Sequence, residues 1–382
     1  ELPPFQGGAA GLLAYELNRA WEDVPRSMHD EFGFPALAVG IYDWTIAWDH
    51  RQCKAWIIAH GFSGTDREQS ANTRIDQIKE LLNSGRPAEA AQAPERFPIE
   101  KLGDVFPLAD KPGLLSDFSR EGYLRAVDQV IEYIRAGDVF QANLSQRMLF
   151  PQQDSILDLY GRLRSRNPAT FSALMMWDDW AVASASPERF LCVRDREVES
   201  RPIKGTRPRG VSPEAELFTR DELRESEKDM AENVMIVDLM RNDLSRVCLP
   251  GSVSAPELCL VESYESVQHL VSEIRGRLKP ESSVFDLLAA TFPGGSITGA
   301  PKIRAMEIIA ELEPTVRGPY CGSLIYLGFD GWFDSSILIR TFAVKDGWIQ
   351  CSVGGGIVAQ SSPAAEYEET LHKAHGMLSA LE

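Results

Sequence analysis

Apolar residues recur at helical spacing in one stretch of the first half of the chain. The members of this stripe are Tyr123, Ala126, Val127, Val130, Ile131 and Ile134. Residues three and four apart lie on one face of a helix, so the stripe predicts an amphipathic helix that packs on a core. Ser119 is a suitable N-cap for this helix, and Gly137 is a suitable stop.

Other stretches predict helices because their flanking residues suit helix ends. These are a charged surface helix over 65–85, a mostly helical stretch over 214–244, and helices over 283–290, 301–312 and from 363 onward. Pro301 and Pro363 stand in first turns, where proline is tolerated, and Ser362 is a suitable N-cap. The opening residues 7–16 predict a loop that becomes helical.

Runs of aromatic and β-branched residues between turn signals predict strands. They lie within 36–58, 139–150, 171–177, 180–185, 190–193, 320–329, 337–344 and 348–353. Helices and strands do not alternate as regular βαβ units, so the pattern indicates an α+β fold with antiparallel strands. Residues 86–115, rich in proline and alanine, predict a linker that ends an N-terminal region over 1–115, followed by a second domain over 116–382.

Composition excludes several classes of protein. The 382 residues are 44% apolar and 25% charged, which is typical of a folded globular protein. A net charge of −17 argues against a nucleic-acid partner or an anionic membrane, because both bind basic surfaces. No apolar run approaches the roughly 18–20 residues that span a bilayer, and no signal peptide is evident.

The six cysteines indicate neither a disulfide framework nor a zinc site. They are Cys53, Cys192, Cys248, Cys259, Cys321 and Cys351. None forms a C-x-x-C pair. Free thiols in a reducing cytoplasm are therefore the expected state.

One run of nine residues concentrates positive charge within this acidic chain. It holds Arg201, Lys204, Arg207 and Arg209 in a turn marked by proline and glycine. Neighbouring cations lower the pKa of a lysine, burial lowers it further, and a neutral amine is a nucleophile. Glu188, in a second proline-marked turn, offers a carboxylate for acid–base work. The alternative is that Lys204 only solvates a loop within a basic patch.

Carboxylates on two predicted helices are candidates for a metal site. Glu232 shares a helical face with Met235 and is expected to point toward the core. Glu366, Glu369 and Lys373 share one face of the last helix. Two carboxylates from different helices can hold Mg²⁺, which prefers oxygen ligands. The alternative is that each is a solvated helical glutamate.

Two features are candidates for binding an anion. The run Gly354, Gly355 and Gly356 follows a predicted strand, and glycine allows backbone N–H groups to approach an anion closely. As a lone motif, such a run is more often an ordinary turn. Arg340 follows the apolar run 337–339, and a buried guanidinium needs a partner, for which a carboxylate is well shaped.

Three further polar residues allow two interpretations each. Ser296 and Thr298 precede the helix predicted over 301–312, so their hydroxyls either cap that helix or hold a substrate. His269 lies in an apolar stretch, where a lone histidine is usually a satisfied core residue.

Four motifs together resemble the chorismate-binding enzyme family. They are SASPERF (184–190), PIKGT (202–206), AENVMIVDL (231–239) and FPGGSITGAPK (292–302). Within that family PIKGT is similar to the motif of aminodeoxychorismate synthase component I, whereas anthranilate synthase component I carries Ala where this chain has Lys204. The likeness runs from about Phe5 to the last residue, and the first residues resemble an internal family segment. We therefore expect part of the N-terminal region to precede Glu1.

The resemblance implies antiparallel β-sheets packed as a sandwich with helices on the outside. It also implies a set of site residues by position in the motifs. These are Lys204, Glu188 and His269 as catalytic groups, Thr206, Ser296, Thr298, Tyr320, Arg340, Gly354, Gly355, Gly356 and Lys373 as substrate-binding groups, and Glu232 and Glu369 as Mg²⁺ ligands with Glu366 as a supporting acid.

The activity implied by the resemblance is the conversion of chorismate and ammonia to 4-amino-4-deoxychorismate, for para-aminobenzoate and folate biosynthesis. Lys204 would add to ring carbon C2 while Glu188 protonates the leaving C4 hydroxyl. Ammonia would come from a separate glutamine amidotransferase subunit in a cytoplasmic heterodimer, since this chain has no G-x-C-x-G nucleophile turn. The alternatives are another chorismate enzyme, such as anthranilate, isochorismate or salicylate synthase, and a degenerate chorismate-binding subunit without catalysis.

Overall fold

The computed structural model describes residues 2–62, 66–85, 95–108, 111–209, 212–263 and 267–381. Its strands in chain order are β1 (Gly8–Leu13), β2 (Leu37–Tyr42), β3 (Trp44–Asp49), β4 (Lys54–Ala59), β5 (Phe106–Pro107), β6 (Leu115–Ser116), β7 (Gln141–Pro151), β8 (Phe171–Met176), β9 (Trp180–Ser186), β10 (Arg189–Arg194), β11 (Glu197–Ser200), β12 (Ile203–Pro208), β13 (Ser254–Ser263), β14 (Val267–Arg277), β15 (Gly299–Ala300), β16 (Ser323–Gly328), β17 (Phe333–Ser336), β18 (Thr341–Lys345) and β19 (Trp348–Ile357). Its α-helices are α1 (Arg67–Asn83), α2 (Arg120–Ala136), α3 (Ile156–Arg166), α4 (Pro213–Glu225), α5 (Glu227–Ser245), α6 (Val284–Thr291), α7 (Lys302–Leu312) and α8 (Pro363–Leu378).

Most of the strands form two large antiparallel sheets. The nine-stranded sheet has the order β12-β14-β11-β10-β17-β16-β1-β2, with β13 also paired to β14. The eight-stranded sheet has the order β5-β6-β7-β19-β18-β9-β8, with β15 also paired to β7. β3 and β4 form a separate hairpin.

The two sheets face each other, and helices cover their outer sides. Leu12 of the first sheet and Val182 of the second share one apolar cluster with Leu338. On the outer side of the nine-stranded sheet, Ile236 of α5 packs in the largest core cluster, and on the eight-stranded sheet Leu163 of α3 does the same in its own cluster. The predicted α+β fold, with antiparallel sheets and outer helices, is confirmed.

The predicted caps at both ends of α2 are confirmed, whereas Ser362 stands at the N-cap of α8 without a capping bond from its side chain. The Ser119 hydroxyl accepts from the backbone N–H of Gly122, and Gly137 ends α2 in the left-handed region with φ 86°. Ser283 and Asp286 form a capping box at the start of α6. The helix predicted over 214–244 is divided at Ser226, which ends α4 and caps α5 with its hydroxyl.

Some predictions of local structure were wrong, and some elements were not predicted. Residues 8–13 form β1 because β16 and β2 pair with both of its edges, and the helical part is a 3₁₀ turn over Tyr15–Ala20. The strand predicted over 337–344 begins only at Thr341, since Arg340 adopts a left-handed φ of 50° that interrupts extended backbone. Helix α3 and the strands β11 to β14 and β17 were not predicted.

The predicted linker lies partly outside the described residues, which omit 86–94 and 109–110. Within the described part, β5 and β6 continue the eight-stranded sheet from β7. Residue 65, the predicted start of the first surface helix, is also outside the described residues, and α1 begins at Arg67. The division at residue 115 stays a prediction.

The six cysteines are free thiols, as predicted. Across the described ranges, no helix combines the length and the apolar character needed to cross a membrane.

Candidate active site

Lys204 lies in a strand and not in a turn, which corrects the prediction. In the pairing of β12 with β14, Lys204 faces Leu270 and Thr206 faces His269, so Gly205 is an extra residue that forms a β-bulge. Gly205 has φ 71°, and a Cβ there would stand 2.8 Å from the Leu223 Cδ1 atom. The bulge therefore depends on glycine directly after Lys204.

The Lys204 side chain is enclosed, with 11% of it exposed. Its Nζ donates a hydrogen bond to the Ser296 carbonyl oxygen at 3.1 Å and lies 4.0 Å from the Glu232 Oε2 atom. Burial lowers the pKa of Lys204, the carboxylates of Glu232 and Glu188 oppose that shift, and the charge of Lys373 adds to it. The amine thus combines a lowered pKa with two nearby carboxylates.

The neighbouring arginines are not what lowers the pKa of Lys204, so that part of the prediction was wrong. Each arginine is neutralised by a carboxylate instead. The pairs are Arg201 with Glu273 at 2.7 Å, Arg207 with Glu222 at 2.9 Å and Arg209 with Glu216 at 3.1 Å. Burial of the amine in the site is the larger cause.

Glu188 lies in the connection between β9 and β10 and is buried, 4% exposed. The Ser296 hydroxyl donates to its Oε1 atom at 2.8 Å. Burial raises the pKa of Glu188 to about 7, although the Ser296 hydrogen bond and the charge of Lys204 both lower it. A carboxyl with this pKa exchanges its proton near neutral pH, which suits general acid–base work.

Ser296 joins the two predicted catalytic groups. Its hydroxyl bonds to Glu188 and its carbonyl oxygen accepts from Lys204. The Thr298 hydroxyl donates to the Gly294 carbonyl oxygen at 3.0 Å. Neither hydroxyl caps α7, since Pro301 is its N-cap and no side chain caps it, so the capping alternative was wrong.

His269 on β14 is buried and interacts with Thr206. The Thr206 Oγ1 and His269 Nδ1 atoms are 2.9 Å apart. Burial lowers the pKa of His269 to about 4, and the charge of Arg340 contributes to the same shift. His269 is therefore neutral at physiological pH and lies within the electrostatic reach of Arg340.

Arg340 lies between β17 and β18, where its carbonyl oxygen accepts a hydrogen bond from Ala185 N–H. Within the described residues its guanidinium has no carboxylate at ion-pair distance, and burial lowers its pKa. A half-buried arginine without a protein counter-ion suits a carboxylate ligand, as the sequence predicts.

The three glycines lie within β19 and not in a turn after it, which corrects a second prediction. The partners of Gly354, Gly355 and Gly356 on β7 are residues 145, 144 and 143. β18 pairs with β19 only as far as Cys351. The other edge of the glycine segment has no partner strand among the described pairs. A ligand can therefore meet its backbone groups other than the Gly354 carbonyl oxygen, which accepts from Lys373.

The predicted carboxylates of α5 and α8 come together around two lysines. Lys228 Nζ lies 4.0 Å from Glu232 Oε1 and 3.7 Å from Glu366 Oε1. Lys373 Nζ lies 2.7 Å from Glu369 Oε1 and donates to the carbonyl oxygen of residue 354 at 2.9 Å. Burial raises the pKa of Glu232. Burial would also raise that of Glu369, but Lys373 holds it below its usual value.

This acidic cluster fits a hard cation by its donor chemistry. A Cβ on Gly355 would stand 3.3 Å from Glu366 Oε2 and 3.6 Å from Glu369 Oε1, so the missing side chain leaves room beside these oxygens. As the side chains stand, no three His, Cys, Asp or Glu groups of the described chain are spaced to hold an ion, and lysines balance the charge. An oxygen-only donor set suits Mg²⁺.

Tyr320 is the predicted residue with the weakest connection to the others. It is buried, and its ring lies 5.8 Å from the Arg317 guanidinium. Among the described residues, no hydrogen bond links it to Lys204 or Glu188. Its neighbour Cys321 is within electrostatic reach of Glu188.

Two cations of the site were not predicted. Lys228 bridges Glu232 and Glu366, and its position four residues before Glu232 on the same helix was a usable signal. Arg317 donates to the Ile297 and Asn143 carbonyl oxygens and so holds the segment that carries Ser296. No local pattern marks Arg317, because its partners are distant in sequence.

Comparison with known proteins gives consistent matches over nearly the whole chain. The family described as chorismate binding enzyme matches residues 1–379. Aminodeoxychorismate synthase component 1 of Klebsiella aerogenes is 43% identical over 379 residues, covering 99% of this chain and 78% of that protein. Anthranilate synthase component 1 of Thermus thermophilus is 41% identical over 382 residues, covering 100% of this chain and 79% of that protein.

A solved structure gives the same result for the fold. Anthranilate synthase component I from Streptococcus pneumoniae superposes with a TM-score of 0.85 at 32% identity, covering 99% of this chain and 81% of that chain.

Proposed function

This chain belongs to the chorismate-binding enzyme family, and on that premise we propose that it converts chorismate and ammonia to 4-amino-4-deoxychorismate. Overall identity does not choose between branches, because relatives of two activities match at 43% and 41%. The observation that carries the proposal is the enclosed Lys204 amine beside Glu188. An amine at that position would occupy ring carbon C2, which an anthranilate synthase must leave open for ammonia.

In the first half of the reaction, the neutral Lys204 amine adds to C2 of chorismate. The two ring double bonds shift, and the C4–O bond breaks as Glu188 gives its proton to the departing hydroxyl, which leaves as water. In the second half, ammonia attacks C4, the double bonds shift back, and the C2–N bond to Lys204 breaks. Glu188, now a carboxylate, accepts a proton from the incoming amine.

The protonation states support this sequence. The reaction needs Lys204 neutral and Glu188 protonated at its start. Burial lowers the pKa of Lys204 and raises that of Glu188 to about 7, so both shifts favour the required states. Ser296 fixes the relative position of the two side chains, since its hydroxyl donates to Glu188 and its carbonyl oxygen accepts from Lys204.

The two carboxylates of chorismate require cationic or N–H partners in this acidic chain. Arg340 and the free edge of Gly354, Gly355 and Gly356 supply such partners for one carboxylate. Glu232 and Glu369, supported by Glu366, would hold Mg²⁺. Bound there, Mg²⁺ would polarise the ring carboxylate as a Lewis acid.

Ammonia is proposed to come from a glutamine amidotransferase subunit that forms a heterodimer with this chain. The relatives' name "component 1" is consistent with a partner subunit. The sequence holds no G-x-C-x-G turn for glutamine hydrolysis. Free ammonium should also support the reaction, but more weakly than glutamine with the partner subunit.

Replacement of Lys204 by Ala tests the proposal. We expect the rate of 4-amino-4-deoxychorismate formation to fall by at least about 10³-fold, as it does when a covalent nucleophile is removed. Intact-mass analysis after acid quenching should show a chorismate-derived adduct in the wild type and none in the variant. Lys79→Ala, which alters an exposed ion pair with Asp76, is the matched control. An adduct of the same mass in Lys204→Ala would contradict the role of Lys204.

A further inference from the structure

The loop over residues 292–301 joins α6 to α7 and carries Ser296, which contacts both groups of the proposed catalytic pair. Because one hydroxyl and one carbonyl oxygen of a single loop residue meet Glu188 and Lys204, any shift of this loop moves both contacts together. The groups that fix the loop therefore affect catalysis as well as folding, and their catalytic effect rests on the proposed function.

Lys302 closes this loop at its base. It is the first residue of α7, and its Nζ donates to the carbonyl oxygen of Thr291, the last residue of α6, at 2.6 Å. The same ammonium lies 2.6 Å from Asp243 Oδ2 on α5, the helix that also carries Glu232. The side chains of Lys302 and Asp243 are 12% and 7% exposed. One enclosed cation thus joins the two ends of the loop to a third helix.

We propose that Lys302 is a positioning residue. Together with Asp243 it holds the loop so that Ser296 keeps the Glu188 and Lys204 side chains in the positions that the reaction needs.

The other hydrogen bonds to the loop lie mainly at residues that follow Ser296 in the sequence. Arg317 donates to the Ile297 carbonyl oxygen, and the Asn143 N–H donates to the Thr298 carbonyl oxygen. Before Ser296, Gly294 and Gly295 have no side chains, and an added Cβ would meet Ile337 and Leu239 atoms at 2.7 Å and 2.6 Å. The first half of the loop is therefore held by apolar packing, of the buried Phe292 ring against Trp21 and Phe190 and of the glycine backbone. Lys302 supplies the directional bonds at the base of the loop.

A buried ion pair also has a purely structural interpretation, and the variants must separate the two. Removing one partner leaves an unpaired buried charge, whereas replacing both by apolar residues is often tolerated. The test variant is therefore Lys302→Met combined with Asp243→Leu. Lys302→Arg keeps a cation at the same place and serves as the conservative variant.

The pair Arg147–Glu31 offers a matched control. It joins at 3.0 Å, and its side chains are 5% and 6% exposed, but it links β7 to the segment before β2 and makes no contact with Ser296. Arg147→Met combined with Glu31→Leu removes a buried pair of the same kind away from the loop.

Steady-state kinetics with chorismate and ammonium give the first readout. In Lys302→Met/Asp243→Leu, kcat should fall by about 30- to 100-fold, since a misplacement near 1 Å costs about 10²-fold, while KM for chorismate changes by less than about threefold. Lys302→Arg should recover kcat to within about tenfold, and the Arg147 control should keep it despite a lower Tm. A folded test variant with kcat within about threefold of wild type would overturn the proposal.

Hydrogen exchange followed by mass spectrometry gives a readout that does not depend on turnover. Peptides covering 292–301 should exchange faster in the test variant and not in the control. Unchanged exchange in those peptides would also overturn the proposal. If the wild type formed a different product, the proposed function would fail while the exchange result still decided the role of Lys302.

Discussion

Lys204 and Glu188 share one enclosed space, and the balance of burial against charge sets the protonation of each. Burial disfavours the charged form of both groups, so it lowers the pKa of the amine and raises that of the carboxyl. Mutual attraction works against both shifts, but burial is the larger cause for each. A neutral amine beside a protonated acid is the state that the proposed first step requires.

The pH dependence of the reaction follows from these shifts. At constant free ammonia, the pH profile of kcat/KM for chorismate should have one limb with an apparent pKa of about 7, which belongs to Glu188. The other limb belongs to Lys204, whose pKa burial lowers. Because the Ser296 hydroxyl favours the carboxylate, Ser296→Ala should move the Glu188 limb upward by about one pH unit.

The control for that experiment is Ser335→Ala, which removes a buried hydroxyl bonded to the Leu191 backbone, outside the site. If the limb near pH 7 stayed in place in Ser296→Ala, or moved equally in Ser335→Ala, the assignment of that limb to Glu188 would be contradicted.

The residue types of the site were predictable, whereas the main cause of the lowered pKa of Lys204 was not. Lys204, Glu188 and Ser296 come from three separated motifs, and the structure brings them together. The prediction gave the neighbouring arginines as the first cause of the lowered pKa of Lys204 and burial as a further one, whereas burial is the largest cause. A sequence shows which cations are adjacent along the chain but not which carboxylates across the sheet neutralise them, as Glu273 does for Arg201.

At the scale of elements, α5 and α8 contribute the carboxylates proposed to hold Mg²⁺. Glu232→Gln should weaken Mn²⁺ binding by at least about tenfold, as loss of a ligand does, whereas Lys228→Met should strengthen it several-fold by removing a competing cation. Titration of Mn²⁺ followed by electron paramagnetic resonance measures both. Equal effects of the two variants would exclude a cation site at this cluster.

Gly355 of β19 tests whether the space beside the acidic cluster must stay open for chorismate to bind. Its Cβ would stand 3.3 Å from Glu366 Oε2 and 3.5 Å from Lys373 Nζ, which is tight but does not require a positive φ. Gly355→Ala should therefore fold, and its affinity for chorismate should fall by about tenfold, as measured by calorimetry. A folded variant with unchanged affinity would show that chorismate binding does not need the space beside Gly355.

Helix ends were predictable because capping is local, as Ser119 and Gly137 show at the two ends of α2. The strands around Lys204 were not, since β12 is rich in charge and contains a bulge. The glycine run shows the same limit. Glycine favours turns in isolation, but continuous pairing with β7 keeps residues 354–356 extended.

At the scale of the whole molecule, the site depends on how the two sheets are assembled. Arg340 follows a strand of the nine-stranded sheet, the glycine run belongs to the eight-stranded sheet, and Glu369 lies on a covering helix. The local pattern predicted an α+β fold with antiparallel strands. Which strands are neighbours depends on contacts far apart in sequence, and only the resemblance to a family indicated the sandwich.

The most direct test of the central claim is to identify the product. The chain is incubated with chorismate, Mg²⁺ and ammonium, without glutamine, and the position of the new amine is determined by NMR. We predict an amine on C4 with the enolpyruvyl group retained, because Lys204 occupies C2 during the reaction. Anthranilate, or an amine on C2, would show that Lys204 does not block that carbon and would contradict the proposed function.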